Sequence, residues 1–225
     1  MLPARWTACF YDRLMIDFNL YLITDRTQTA GRELPAVVAD ALAGGVRSIQ
    51  LREKDLSARQ QFELAVQLRS LTREFNARLM INERIDIALA VGADGVHIGA
   101  DSLPVDEVRR LLGPKMLIGY SAHAAGEALQ AERNGADFVT FGPVYHTPSK
   151  LKYGEPLGVS QLAAAVSVLA IPVFALGGVK KTSIAEVMAT GCHGAAMISE
   201  IISAPDPQYA ATIILEEIGK HANHR

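Results

Sequence analysis

The chain has 225 residues, 49% of them hydrophobic and 20% charged, with a formal net charge of −2 at neutral pH. A charge balance this close to zero excludes a global basic field for nucleic acid or an acidic membrane, so any anion site must be a local cluster. No run reaches the roughly 18 apolar residues of a membrane span, and the first stretch lacks the apolar region and cleavage site of a secretory leader. The two cysteines, Cys9 and Cys192, stand alone with neither metal nor redox spacing, which fits reduced thiols and a cytoplasmic location.

Residues 1–17 are expected to be an N-terminal extension: a disordered leader, an extra capping segment, or sequence upstream of a start at Met15. Residues 18–220 are expected to form one catalytic domain, because α/β barrels of this length occur undivided. Residues 221–225 form a tail, with fraying expected from Gly219 onward.

From there, short apolar runs recur in chain order: NLYLITD from Asn19, VRSIQLRE from Val46, RLMIN from Arg78, GVHIG from Gly95, LIGYS from Leu117, FVTFGPV from Phe138, PVFALGG from Pro172 and GAAMIS from Gly194. Several are apolar nearly throughout, as strands covered on both faces must be. Amphipathic stretches such as LPAVVADALAGG and ARQQFELAVQLRSLTREF separate them, and Gly44, Gly92, Gly135 and Gly191 fall where helices should end. Eight strands alternating with helices predict a parallel sheet closed into a single-domain (β/α)8 TIM barrel of the α/β class. An open doubly wound sheet is the alternative, but ITDRTQTAGRE after the first strand lacks the glycine fingerprint of that fold.

In such barrels chemistry gathers at the C-terminal ends of the strands. There the sequence places Thr24 and Asp25, then Gln50, Arg52 and Lys54 at alternate positions of QLREK. Alternation puts those three on one face. If that face is the interior, two cations share a low-dielectric site and require an anion, a phosphate or pyrophosphate, or a carboxylate such as Glu83. Asn82 and Glu83 end the third strand and Asp101 follows the fourth; Glu83 and Asp101 could hold Mg²⁺ through oxygen, or serve as helix-start acids. His97 fits a satisfied core position, whereas His123 and His146 lie in rim loops suited to proton transfer. Gly177-Gly178 and Ile198-Ser199 close the seventh and eighth strands, where loop amides form the phosphate site of many barrels. The loop GPVYHTPSKLKYGEP, Gly142 to Pro156, is polar, basic and longer than a plain connection needs, and it offers Thr147, Ser149 and Lys150.

LYLITDR, QLREK, INERIDIALAVGADGVHIG, IGYSAH, GADFVTFGPVYHTPSK, IPVFALGGV and GCHGAAMISEI occur in order, one per strand. Across Asn19 to Gly219 the chain resembles the thiamine phosphate synthase/TenI superfamily. The resemblance implies a thiazole phosphate site and small phosphate and pyrophosphate substrates. It implies Gln50, Arg52, Lys54 and Asn82 on the pyrimidine pyrophosphate side, with Ser121 and Lys150 facing the pyrophosphate. Thr147, Ser149, Gly178, Ile198 and Ser199 would bind thiazole phosphate. In the synthase branch the pyrimidine substrate loses pyrophosphate with Mg²⁺ assistance, and the thiazole nitrogen captures the resulting cation. Both Mg²⁺ aspartates of that pattern are altered, to Glu83 and Ser102, with Asp101 one position early. The TenI branch instead tautomerises a thiazole carboxylate phosphate, with His123 at the matching acid/base position. A non-catalytic thiazole phosphate binder is a third reading, and another phosphate-binding barrel enzyme such as an epimerase a more distant one. No nucleic-acid or membrane partner is expected, and self-association into a homo-oligomer is left open.

Overall fold

The computed structural model describes residues 15–147 and 155–222. Eight parallel strands close into a barrel in sequence order: β1 (Leu20–Ile23), β2 (Ser48–Leu51), β3 (Arg78–Asn82), β4 (Gly95–Ile98), β5 (Leu117–Ala122), β6 (Phe138–Phe141), β7 (Val173–Leu176) and β8 (Gly194–Met197). The ring is completed by β1 against β8, with Leu20 opposite Ala195 and Leu22 opposite Met197. Helices follow as α1 (Leu34–Ala43), α2 (Ala58–Glu74), α3 (Ile85–Val91), α4 (Val105–Leu112), α5 (Ala125–Arg133), α6 (Gly158–Val168), α7 (Ile184–Ala189), α8 (Ser199–Ile202) and α9 (Pro207–Ala222). This is the expected (β/α)8 barrel.

Local sequence explains the elements. Ser57 accepts from the backbone of Gln60 while the Gln60 side chain returns to Ser57, so α2 begins with a reciprocal cap. Gly92 ends α3 in the left-handed region at φ 61°. Alternate residues of β1 divide between two cores: Leu20 and Leu22 pack outward under the helices, while Tyr21 and Ile23 point into the barrel. Inside, Phe18, Phe138 and Phe174 join Tyr21 and Met80. The Phe18 and Phe174 rings stack at 5.2 Å, and Phe138 meets Phe174 edge-on at 5.6 Å. This plug fills the lower barrel and leaves chemistry to the opposite mouth.

The sequence Gly-Ala-Asp occurs before β4 and again before β6. Asp94 accepts from the Leu79 amide at 2.7 Å and from Arg69 at 2.7 Å; Asp137 accepts from the Ile118 amide at 2.7 Å and pairs with Arg109 at 2.5 Å. Each carboxylate ties the preceding strand and a helix to the start of its own strand. Before β8 the corresponding residue is His193, whose ring contacts the Phe18 carbonyl at 3.1 Å. Met15–Asp17, expected in the extension, run into the barrel floor, where Asp17 pairs with Arg78 at 2.8 Å.

The C-terminal end differs from the expectation of fraying at Gly219. Helix α9 continues to Ala222, because Ala211, Ile214 and Ile218 are buried and Thr212 bonds the Gly44 carbonyl at 3.2 Å. Replacing Asp137 by Ala leaves the Ile118 amide without its acceptor and Arg109 without its counter-ion, though the guanidinium keeps the Gly113, Met116 and Gly135 carbonyls; unfolding stability should fall by about 1–3 kcal/mol. Urea denaturation measures the loss; a variant within about 0.5 kcal/mol of wild type would contradict the latch.

Candidate active site

The loops after β1 and β2 are bound to each other. The Thr24 amide donates to the Gln50 carbonyl at 2.9 Å, and the Arg52 amide donates to the Thr24 hydroxyl oxygen at 2.9 Å. Both carboxylate oxygens of Glu53 accept from the Arg26 amide at 3.1 Å, and the Thr24 side chain also bonds that carboxylate. Glu53 is only 5% exposed. Burial holds its carboxyl above the usual range, against the opposing pull of the Thr24 and Arg26 hydrogen bonds. Asp25 accepts from the Thr27 amide at 3.1 Å, capping the short 3-10 turn Arg26–Gln28, and Arg26 pairs with Asp55 beyond it.

Gln50, Arg52 and Lys54 therefore do not form one buried row, which corrects the alternation argument. Strand β2 ends at Leu51, so the period-2 rule lapses before Arg52. Gln50 is buried, Arg52 half-buried and Lys54 exposed at the rim. The Arg52 guanidinium has no hydrogen bond or ion pair among the described residues. Lys54 bonds Glu83 at 3.1 Å, with side-chain exposures of 53% and 39%, so this pair lies in solvent and not in the barrel core. Glu53 went unnoticed in the sequence. Nothing in the spacing pointed to it, because β2 ends before it and its partners come from the β1 loop.

Inside the mouth a chain of polar groups crosses five strands. The Gln50 amide nitrogen donates to the Tyr21 hydroxyl at 3.0 Å, and that hydroxyl lies 3.3 Å from His97 Nδ1. His97 Nε2 lies 3.0 Å from the Ser121 hydroxyl and 3.3 Å from Thr140. Because the Gln50 amide nitrogen that faces Tyr21 can only donate, Tyr21 gives its hydrogen to Nδ1, and Nε2–H then points at Ser121. Burial, then the nearby Arg52 charge, lowers the His97 pKa from 6.5 to about 3. His97 is therefore neutral near pH 7, as a satisfied core histidine. Ser121 accepts from it and also shares a hydrogen bond with the Thr140 hydroxyl at 3.3 Å.

At β3 and β4, Asn82 is half-buried and Glu83 takes φ 60°, a left-handed conformation that is costly for a side chain with a Cβ. Neither acid starts a helix: Arg84 precedes α3, and Pro104 precedes α4 with no side-chain cap. Asp101 is exposed, in a turn where the Ser102 hydroxyl accepts from the Gly99 amide at 3.1 Å. Among the described residues no three His, Cys, Asp or Glu side chains group to hold a metal. The donor chemistry still fits Mg²⁺, which binds one or two carboxylates and fills its shell with water and substrate oxygens.

At β5, His123 Nδ1 hydrogen-bonds the Gly142 carbonyl, so that nitrogen carries the proton and Nε2 is left open. Glu127 fixes the loop, accepting from the His123 amide at 2.8 Å and from Tyr120 at 2.9 Å. A small cavity lies between Ser121, His123, Thr140, Pro143 and Gly177. The loops after β6 and β7 are hydrogen-bonded together, Val144 to Leu176 and Tyr145 to Gly177, both at 2.9 Å. Gly178 has φ 67°, and a Cβ there would lie 2.6 Å from the His146 carbonyl. Thr147 is half-buried on this side; Ser149 and Lys150 lie outside the described residues. Ile198 is half-buried and Ser199 exposed at the start of α8. A second hollow, beside Asp17, Met188 and His193 at the opposite end, carries none of the expected rim residues.

A closed barrel with a half-buried arginine and a glycine loop at its mouth has the features of the phosphate-binding (β/α)8 barrels. The family described as thiamine monophosphate synthase, TMP-TENI, matches residues 20–201, and the chain belongs to it. A Geobacter sulfurreducens protein, provisionally named thiamine-phosphate synthase, is 58% identical over 89% of this chain and 94% of its own. The thiamine-phosphate synthase of Chloroflexus aurantiacus is 44% identical over 88% of this chain and 91% of its own. Among solved structures, thiamine phosphate pyrophosphorylase from Pyrococcus furiosus superposes with a TM-score of 0.83 at 35% identity, covering 91% of this chain and 96% of that one.

A group whose folded-state pKa is depressed and whose charged form is the acid takes up its proton more readily unfolded, so His97 destabilises the fold as pH falls below 6.5 toward about 3. Between pH 6.5 and 5 this amounts to about 2 kcal/mol. Denaturant titrations of wild type and His97→Asn at both pH values should show the variant losing less stability by that amount. Parallel losses would remove the buried neutral imidazole as the cause.

Proposed function

We propose that the chain is a thiamine-phosphate synthase, joining hydroxymethylpyrimidine pyrophosphate to hydroxyethylthiazole phosphate and releasing pyrophosphate. The observation that carries this reading is the half-buried Arg52 guanidinium beside Lys54 at the mouth; it has no direct hydrogen bond or ion pair among the described residues, with the charge of Asp25 nearby. A cation without a direct ion pair favours an anionic ligand, and a pyrophosphate offers Arg52 and Lys54 more charge and more acceptor oxygens than the carboxylate of a tautomerase substrate would. The reading places the protein in the cytoplasm; no helix among the described residues is long and apolar enough to cross a membrane.

In this reading Arg52 grips the pyrophosphate through two N–H groups, Lys54 adds a point charge, and the Ser121 hydroxyl donates from below. Lys150, as the family resemblance implies, would add its charge to the pyrophosphate. The bond between the pyrimidine methylene and the pyrophosphate oxygen breaks, and the oxygen keeps the electron pair. The donors are aimed where that charge develops, so they stabilise the transition state more than the bound substrate. Gln50 and Asn82 orient the pyrimidine. Thr147, Ser149 and the amides of Gly178, Ile198 and Ser199 hold thiazole phosphate so that its ring nitrogen meets the methylene carbon and forms the new C–N bond. Mg²⁺, held by Glu83 and Asp101 with substrate oxygens, would supply further neutralisation of the departing anion when bound.

His123 supports a second reading. Its open Nε2 beside the cavity suits the proton transfer of a thiazole tautomerase. Purified protein given both synthase substrates and Mg²⁺ should form thiamine phosphate and pyrophosphate, and His123→Ala should retain most of that turnover. Conversion of the thiazole carboxylate tautomer without condensation would establish the second reading instead. Arg52→Ala should reduce kcat by about 10²–10³, the usual loss for a preorganised charge donor; steady-state kinetics with both substrates measures it, and an undiminished kcat would remove Arg52 from the chemistry.

A further inference from the structure

We propose that Thr24 and Glu53 are positioning residues for the pyrophosphate half of the site, holding the Arg52–Lys54 arm against the end of β1; the inference rests on the condensation reading above. Glu53 stands between the two cations in sequence, yet its carboxylate is buried in the wall, against the Arg26 amide. A carboxylate at 5% exposure is unusual in a loop whose next two residues, Lys54 and Asp55, are exposed. It makes no ion pair with Arg52; the guanidinium it approaches, at 3.9 Å, is that of Arg26.

What the carboxylate does is fix backbone. Its two oxygens straddle the Arg26 amide at 3.1 Å each, and it accepts from Thr24. Thr24 in turn receives the Arg52 amide at 2.9 Å, and is itself fully buried. The Gln61 side chain donates to the Glu53 carbonyl at 3.0 Å from α2, holding the same residue from behind. Two consecutive residues, 52 and 53, are thus anchored, one by its amide and one by its side chain and carbonyl. Anchoring consecutive residues sets the direction in which the Arg52 side chain leaves the wall. The guanidinium lies several bonds beyond the anchor, so a small backbone rotation moves it by about 1 Å, enough to cost a large part of the rate. A merely structural contact would not need to converge on the amide of the binding arginine.

The test uses the full chain and inorganic pyrophosphate as the probe, with affinity measured by titration calorimetry and melting temperature recorded beside it. Thr24→Val keeps the shape but removes the hydroxyl; Glu53→Gln keeps the size but removes the charge; Thr24→Ser retains the hydroxyl. Thr24→Val and Glu53→Gln should bind pyrophosphate about 10-fold or more weakly, and Thr24→Ser within about twofold of wild type, as expected for the loss or retention of a hydrogen-bonded anchor. In turnover, the same two variants should change the KM and kcat for the pyrimidine pyrophosphate while the KM for thiazole phosphate stays put. Wild-type affinity in Thr24→Val, or equal weakening in Thr24→Ser and Thr24→Val, overturns the proposal. If Thr24→Val does not fold, Glu53→Gln decides alone. Failure of the wild type itself to bind pyrophosphate would instead overturn the condensation reading, and this one with it.

Discussion

Closing a parallel sheet on itself sends alternate side chains from every strand into a space that water does not reach. Each polar group among them must then find its partners inside. The layer of Gln50, Tyr21, His97, Ser121 and Thr140 meets that demand in a single connected chain. The aromatic layer beneath it packs by edge-to-face contact, and at that level the buried Ser48 hydroxyl of β2 has no partner among the described residues. Closure thus dictates a dry floor, a fully bonded polar middle, and a rim where unmet charge is tolerable because solvent or ligand can answer it.

The two ends of the barrel consequently use carboxylates differently. At the lower end, Asp94 and Asp137 are consumed by backbone amides and arginines, and have nothing left to offer a ligand. At the upper end, Glu83 engages a lysine in solvent, an interaction weak enough to be exchanged for another. Glu53 belongs to the upper end by position and to the lower by behaviour. It is buried and bonded like Asp94, but what it secures is a binding arm and not the barrel wall.

The architecture was legible because it rests on periodicity: every strand run falls on a strand of the barrel, and the glycines close the helices. Glu83 and Asp101 were harder, because their roles depend on loop geometry that spacing does not encode. The alternation of QLREK misled because a strand's two-residue period applies only while the strand lasts, and β2 stops at Leu51. His97 could be placed in the interior but not given partners, since Tyr21, Ser121 and Thr140 come from three other strands far apart in sequence. The run of α9 past Gly219 was hidden for a similar reason. Helix propensity predicts a weak end there, while Ile214 and Ile218 anchored against the barrel decide otherwise.

The pairing of β1 with β8 has a consequence for how the protein is made. Leu20 finds its partner Ala195 only after nearly the whole chain has been synthesised. Until then the nascent sheet has two open margins, each a row of unpaired amides and carbonyls able to recruit a neighbouring polypeptide. Contacts so distant in sequence also slow the search for the native state. The finished molecule offers no such margin, so its hazard of misassembly lies in the interval before the last strand arrives.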